Sequence, residues 1–195
     1  VQRATMMARM ANAVSSLPLL VADGGAQTIR DLAVRARLEH ARSPLRAVCV
    51  DYLQLVLGTS TRKSDTREQE VGEVSRGLKA LAKELAVPVV CLSQLNRDLE
   101  RRGDKRPTMA DLRESGSLEQ DADVVAFLYR EHVYDPKADP SRAEFIIAKQ
   151  RDGATGTAHL RWRGECVRYE DTDTAASEDA PAAHYADNDL GDDTW

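Results

Sequence analysis

Apolar residues recur along this chain in two rhythms, and each rhythm predicts an element. From Glu68 to Ala86, Val71, Val74, Leu78, Leu81 and Leu85 return at intervals of three and four, which draws one apolar stripe along a helix. Met6, Met7, Met10 and Val14 return at intervals of one, three and four and predict an opening helix. Thr28, with Asp31 three residues on, is a capping-box pattern and starts a helix that runs to about Arg42. The second rhythm is the short unbroken apolar run. Leu17–Val21, Val48–Val50, Val89–Leu92, Ala122–Tyr129 and Phe145–Ala148 each predict a strand. The runs at 48–50 and 89–92 read as strands covered on both faces of a parallel sheet. Thr157–Arg163 and Cys166–Tyr169, joined around Gly164 and Glu165, predict a hairpin.

Polar stretches separate these elements. Asp23-Gly24-Gly25 is a turn, residues 58–66 (GTSTRKSDT) a loop, and residues 97–107 (RDLERRGDKRP) a charged loop. Pro88 stops the long helix, Met109–Glu114 forms a short helix before Gly116, and Pro136 and Pro140 mark His132–Ser141 as a loop. Strands alternating with helices, then a run of strands, predict an α/β fold. Its sheet is mostly parallel and flanked by helices, with an antiparallel edge hairpin.

Composition fits that picture. The chain has 195 residues, 42% hydrophobic and 30% charged, as expected of a globular domain with its own core. No run reaches membrane-spanning length, and no secretory leader is visible. Cys49, Cys91 and Cys166 are widely spaced, and the first two sit in apolar runs, so buried thiols in a reducing compartment are expected. His40, His132, His159 and His184 have no ligand spacing. The net charge of −5 is uneven: from Glu170 to Trp195 there are nine acidic residues and no Lys or Arg, leaving 27 basic against 23 acidic residues elsewhere. The division expected is a folded body over residues 1–171 and a disordered acidic tail over 172–195.

Four segments carry candidate chemistry. Asp51 stands where the 48–50 strand ends, and a carboxylate buried there would cost several kcal/mol, roughly, unless a cation or strong donors met it. A strand-end Asp can hold Mg²⁺ against nucleotide phosphates or can simply cap the next turn. Ser93-Gln94 ends the next strand; an amide that donates and accepts at once suits a phosphate or its attacking water, and turn chemistry is the plain alternative. In open α/β sheets ligands lie beyond such carboxyl ends. Arg113, Glu114 and Gly116 sit in a charged stretch ahead of the third strand, where the Arg113 cation and backbone N–H groups around Gly116 could hold a phosphodiester backbone, or which is simply a solvated loop. Lys149 and Arg151, one residue apart before Gly153, suit the charge that develops in phosphoryl transfer, or form a basic turn.

Together the segments "VDYLQL", "GLKALAKELAVPVVCLSQLNR", "DKRPTMADLRESGSLEQDADVV" and "IIAKQRDGATGT" resemble the C-terminal ATPase domain of replicative DNA helicases of the DnaB type, over about Ser15 to Asp171. The resemblance implies a RecA-like fold, ATP and Mg²⁺ as cofactors, and a bacterial or phage-infected cytoplasm. It makes Asp51 the Mg²⁺ ligand and Gln94 the link between the γ-phosphate and the DNA-facing loops. It puts Arg113, Glu114 and Gly116 on single-stranded DNA, and reaches Lys149 and Arg151 into the ATP site of a neighbour in a hexameric ring. Primase and a helicase loader are the further partners it implies.

No Gly here is followed by Lys, so the phosphate-cradling pattern G-x-x-x-x-G-K-[ST] does not occur in this sequence. With Val1 as first residue, a fragment of a longer helicase is expected, from a partial or split gene or an intein-divided one, and inactive alone. Two other readings are a non-enzymatic remnant that binds single strands or joins rings, and a RecA-like repair ATPase.

Overall fold

The computed structural model of the chain describes residues 6, 7, 9, 14–59 and 66–172, with the backbone alone for residues 113–116. The acidic tail beyond residue 172, Met10 of the opening helix and Arg62 and Lys63 of the 58–66 loop lie outside the described residues.

Helix α1 (Ile29–Arg42) begins as its capping pattern requires. The Thr28 hydroxyl accepts from the Asp31 N–H at 3.1 Å, and the Asp31 carboxylate accepts from the Thr28 N–H at 3.2 Å. The Thr28 hydroxyl, which also donates to the Asp31 carboxylate at 2.7 Å, and then the Thr28 N–H hold that carboxyl below its ordinary range. Helix α2 (Arg67–Leu85) has a second capping box, Thr66 with Gln69, a T-x-x-Q signal that sequence reasoning passed over for the apolar stripe. Ala86 closes α2 in the left-handed conformation at φ 53°, and Pro88 follows.

Strands β1 (Val48–Val50) and β2 (Val89–Cys91) pair in parallel, Val50 opposite Cys91, with α2 as the crossover. Val71, Val74 and Leu78 of α2 pack with Ile29, Val50, Leu53 and Val56 in one buried cluster. Gly77 lets α1 approach: a Cβ there would lie 2.3 Å from Ile29 Cγ1. Arg37 of α1 and Glu84 of α2 close the seam with two 2.7 Å bonds.

Cover on one face only replaces the expected cover on both. Val50 is buried, but Cys49 is exposed, and Val90 and Leu92 are 53% and 54% exposed. Side chains alternate between the faces of a strand, and α1 and α2 cover one face; among the described residues nothing covers the other. Cys49 is therefore not the buried thiol expected. Cys91 faces the helices, and burial pushes its thiol up to about 11.

The antiparallel part is larger than a hairpin. Strands β3 (Val124–Tyr129), β4 (Arg142–Gln150), β5 (Gly156–Arg163) and β6 (Arg168–Asp171) form a four-stranded antiparallel sheet in chain order. The connection between β3 and β4, residues 130–141, holds one 3₁₀ turn, Glu131–Val133, and returns the chain antiparallel. Trp162 packs as expected, its ring 4.7 Å from Tyr169 with Arg130 stacked over it at 4.2 Å. Leu17–Val21 forms no strand: no described segment pairs with it, and Leu17, Leu19, Leu20 and Val21 are exposed. The short helix expected at 109–114 is a 3₁₀ turn, Met109–Ser115, that runs straight into α3 (Gly116–Asp121).

One-sided cover predicts a thiol order. At pH 8 iodoacetamide should modify Cys49 and Cys166 well before Cys91. Cys91 labelling should climb only as pH nears 11, because its raised pKa keeps it a thiol below that. Peptide mass spectrometry reads the rates, and equal rates for Cys49 and Cys91 at pH 8 would refute the arrangement.

Candidate functional site

Parallel pairing brings Asp51 and Gln94 to one edge, as their strand-end positions predict. The Leu92 N–H donates to Val50 O at 3.0 Å and the Leu53 N–H to Leu92 O at 2.9 Å, so the two chains leave the sheet side by side. The Asp51–Tyr52 peptide bond is cis. Asp51 is exposed, and its carboxylate has no hydrogen-bond or ion-pair partner among the described residues. The desolvation expected for it is thus not present in this chain: its strand ends at the surface, where water solvates the charge.

Gln54 joins the two strand ends, a role sequence reasoning missed although Gln54 lies within the quoted VDYLQL. Its Nε2 donates to Ser93 Oγ at 3.1 Å and Gln94 O at 3.4 Å, and its Oε1 accepts from the Gln94 N–H at 3.3 Å. Arg67, at the start of α2, donates to Gln54 O at 2.6 Å. Gln94 borders an open cleft of about 440 Å³ with Asn96, Arg97 and Tyr134.

Two residues past Gln94, one backbone hydrogen bond reaches the 109–115 turn. The Asn96 N–H donates to Asp111 O at 3.0 Å. The buried Asp111 carboxylate accepts from the Thr108 N–H at 2.7 Å, the Thr108 hydroxyl at 3.0 Å and Arg102 at 3.1 Å. Arg106 grips both carboxylate oxygens of Glu144, which is 6% exposed on β4, and its guanidinium lies 5.8 Å from the Tyr129 ring centroid. Lys105 donates to the carbonyls of Glu100 and Arg102. In the charged 97–107 loop, Arg102 and Arg106 meet buried carboxylates, which need cations; Arg106 fastens the loop to the sheet through Glu144, while Lys105 bonds carbonyls of the loop itself. Arg113 and Glu114 lie on the anchored turn and Gly116 opens α3; their side chains are outside the description.

Lys149 and Arg151 occupy a second cluster, at the junction of α3 and β3. A bulge between Val125 and Ala126 shifts the β3–β4 register, so that Lys149 stands opposite Val125. Lys149 donates to Glu119 O. The Arg151 N–H donates to Asp123 O at 2.9 Å and its guanidinium to Asp123 Oδ1 at 3.1 Å. Lys79 of α2 donates to Asp123 Oδ2, and Ser75 to Asp121 Oδ2 at 2.7 Å. The Lys79 hydrogen bond, then the charges of Lys79, Arg151 and Lys149, hold the Asp123 carboxyl below its ordinary range. No hydrogen bond or ion pair among the described residues joins this cluster to Asp51 or Gln94.

No described group of three or more His, Cys, Asp or Glu side chains could hold a metal by itself. A lone exposed carboxylate fits Mg²⁺, which takes one or two carboxylates and fills its shell with phosphate oxygens and water. No described helix is long and apolar enough to cross a membrane.

The DnaB-like helicase C terminal domain family matches residues 2–171. The chain belongs to that family. The replicative DNA helicase DnaB of Haemophilus influenzae is 51% identical over 154 residues, which cover 78% of this chain and 32% of that protein. A DnaB-like replicative helicase, solved in a study of its interactions with primase, superposes with a TM-score of 0.78 at 38% identity, covering 85% of this chain and 41% of that one. A second solved structure, of an ATPase domain, also superposes with a TM-score of 0.78 at 38% identity, covering 85% of this chain and 58% of that one. The RecA-like fold expected of the DnaB-type sequence is borne out. The chain spans about a third of the length of the curated DnaB relatives it matches.

Anchoring of the DnaB-family loop is testable. Arg106→Ala strands the buried Glu144 carboxylate and should lower stability by about 1–3 kcal/mol. Arg101→Ala, at a side chain 87% exposed, should change it by less than about 0.5 kcal/mol. Urea unfolding followed by circular dichroism reads both, and equal small losses would show that the loop is not held by this pair.

Proposed function

We propose that this chain is part of a replicative DNA helicase that couples ATP hydrolysis to movement along single-stranded DNA and duplex unwinding. The observation that carries the reading is the Gln54–Gln94 bridge beside Asp51, continued through Asn96 and Asp111 into the turn that bears Arg113. A nucleotide site and a DNA-facing segment would then share one run of backbone, so a change at the first is felt at the second. Membership of the helicase family supports the same assignment.

ATP bound with Mg²⁺ would supply the γ-phosphoryl group and neutralise part of its charge. Asp51 would hold the metal with its free carboxylate. The Gln94 amide would orient the attacking water, with Gln54 fixing its backbone. Arg113, Glu114 and Gly116 would face the phosphodiester backbone. Lys149 and Arg151 would act on the neighbouring subunit's nucleotide, which requires a ring, a hexamer in this reading, working in the cytoplasm. Primase and a helicase loader are its proposed protein partners; the solved DnaB-like helicase related to this chain was studied with primase.

In the full-length ring protein that carries this segment, Asp51→Ala should abolish ATP hydrolysis while leaving assembly, read by sedimentation, intact. Arg151→Ala should lower kcat on the order of 10³-fold if it acts as a trans cation. Normal turnover in both variants would sink the reading. Because the sequence holds no G-x-x-x-x-G-K-[ST], the 195-residue chain alone should release no phosphate from ATP above background; steady turnover by it would overturn the assignment of a partial site.

A further inference from the structure

Asp123 faces more positive charge than it can balance. Lys79 approaches one carboxylate oxygen and Arg151 the other, while Lys149 stands close enough to help hold the carboxyl ionised. The two cations that bond it are not held alike. The Lys79 side chain is 22% exposed, on the helix that carries the core stripe. The Asp123 side chain is 51% exposed to both, but the Arg151 side chain is itself 57% exposed, so water and salt screen its pair more than that of Lys79. The Arg151 backbone, by contrast, is fixed to Asp123 O at 2.9 Å. The main chain is thus tethered while the guanidinium is held loosely.

Two further bonds tie down the corner. Buried Ser75 bonds Asp121 from α2, and Lys149 caps the Glu119 carbonyl in the last turn of α3, where carbonyls lack helical partners. We propose that Asp123 is the positioning residue for the Lys149–Arg151 turn, and that Lys79 is its standing counter-ion. When Arg151 swings out to a phosphate of the adjacent subunit, Lys79 keeps the Asp123 charge compensated, so release leaves no unpaired carboxylate. Asp123 meanwhile draws the guanidinium back when that phosphate departs. The inference deepens the trans-cation reading given above and rests on it.

The test is steady-state ATP hydrolysis by the full-length ring protein at saturating single-stranded DNA, normalised to assembled rings. Asp123→Asn should lower kcat about ten- to a hundredfold through misplacement of Arg151, with KM for ATP nearly unchanged. Asp123→Glu, which keeps the charge, should retain most of the turnover. Lys79→Met leaves Arg151 as the carboxylate's main partner; kcat should fall and then recover as salt rises, because salt screens the pair that restrains it. Asp123→Asn should show no such recovery. Unchanged turnover per ring in Asp123→Asn, with any loss confined to melting temperature or ring yield, would overturn the proposal and leave Asp123 a structural residue. Arg151→Ala separates the two levels: loss there with normal Asp123→Asn refutes the positioning role alone, and normal turnover there refutes the trans-cation reading and this inference together.

Discussion

The apolar stripe of α2 must leave water, and the rest of the described fold is arranged around where it goes. Val71, Val74 and Leu78 sink onto β1, the turn after it and Ile29, while Leu81 meets Ala33 and Ala36 of α1. Each such side chain contributes roughly 1.5–3 kcal/mol when fully buried. The packing also fixes the azimuth of the helix, and with it the residues beside the stripe. Ser75 and Lys79 then point at Asp121 and Asp123. One hydrophobic contact therefore sets the position of both strand ends on one side and of the α3–β3 corner on another.

The two candidate clusters are built from different forces. Gln54, Ser93 and Gln94 are joined by neutral amide and hydroxyl bonds, which are short-ranged and directional. Such bonds suit a site whose geometry must be reproduced at every turnover. Lys79, Lys149 and Arg151 gather around one exposed carboxylate, where attraction is weak and tolerant of distance. That suits a cation that has to leave its resting partner and come back.

Between the clusters, residues 97–111 use charge as scaffolding. Buried carboxylates at Asp111 and Glu144 are tolerated because Arg102 and Arg106 reach them, and removing either cation would leave an ion in a poor solvent. The Arg102–Asp111 pair ties this segment to itself, and the Arg106–Glu144 pair ties it to β4. Arg97 and Arg101 of the same segment stay exposed, so only part of its positive charge is used this way.

Helices α1 and α2, the parallel pair and the hairpin were legible in the sequence because the signals are local: a 3.6-residue period, a capping box, a proline, an apolar run. The strand-end placement of Asp51 and Gln94 followed from the same runs. Only the tertiary structure decided which strand faces are covered, that Asp51 is solvated, that Gln54 bridges the strand ends, and that β3 joins β4 antiparallel through a bulge. It alone paired Arg106 with Glu144 across 38 residues and Lys79 with Asp123 across 44. Local periodicity states what a segment is, but a polar side chain reaches its partner only after distant elements have packed, and nothing in its own neighbourhood of sequence records which partner that is.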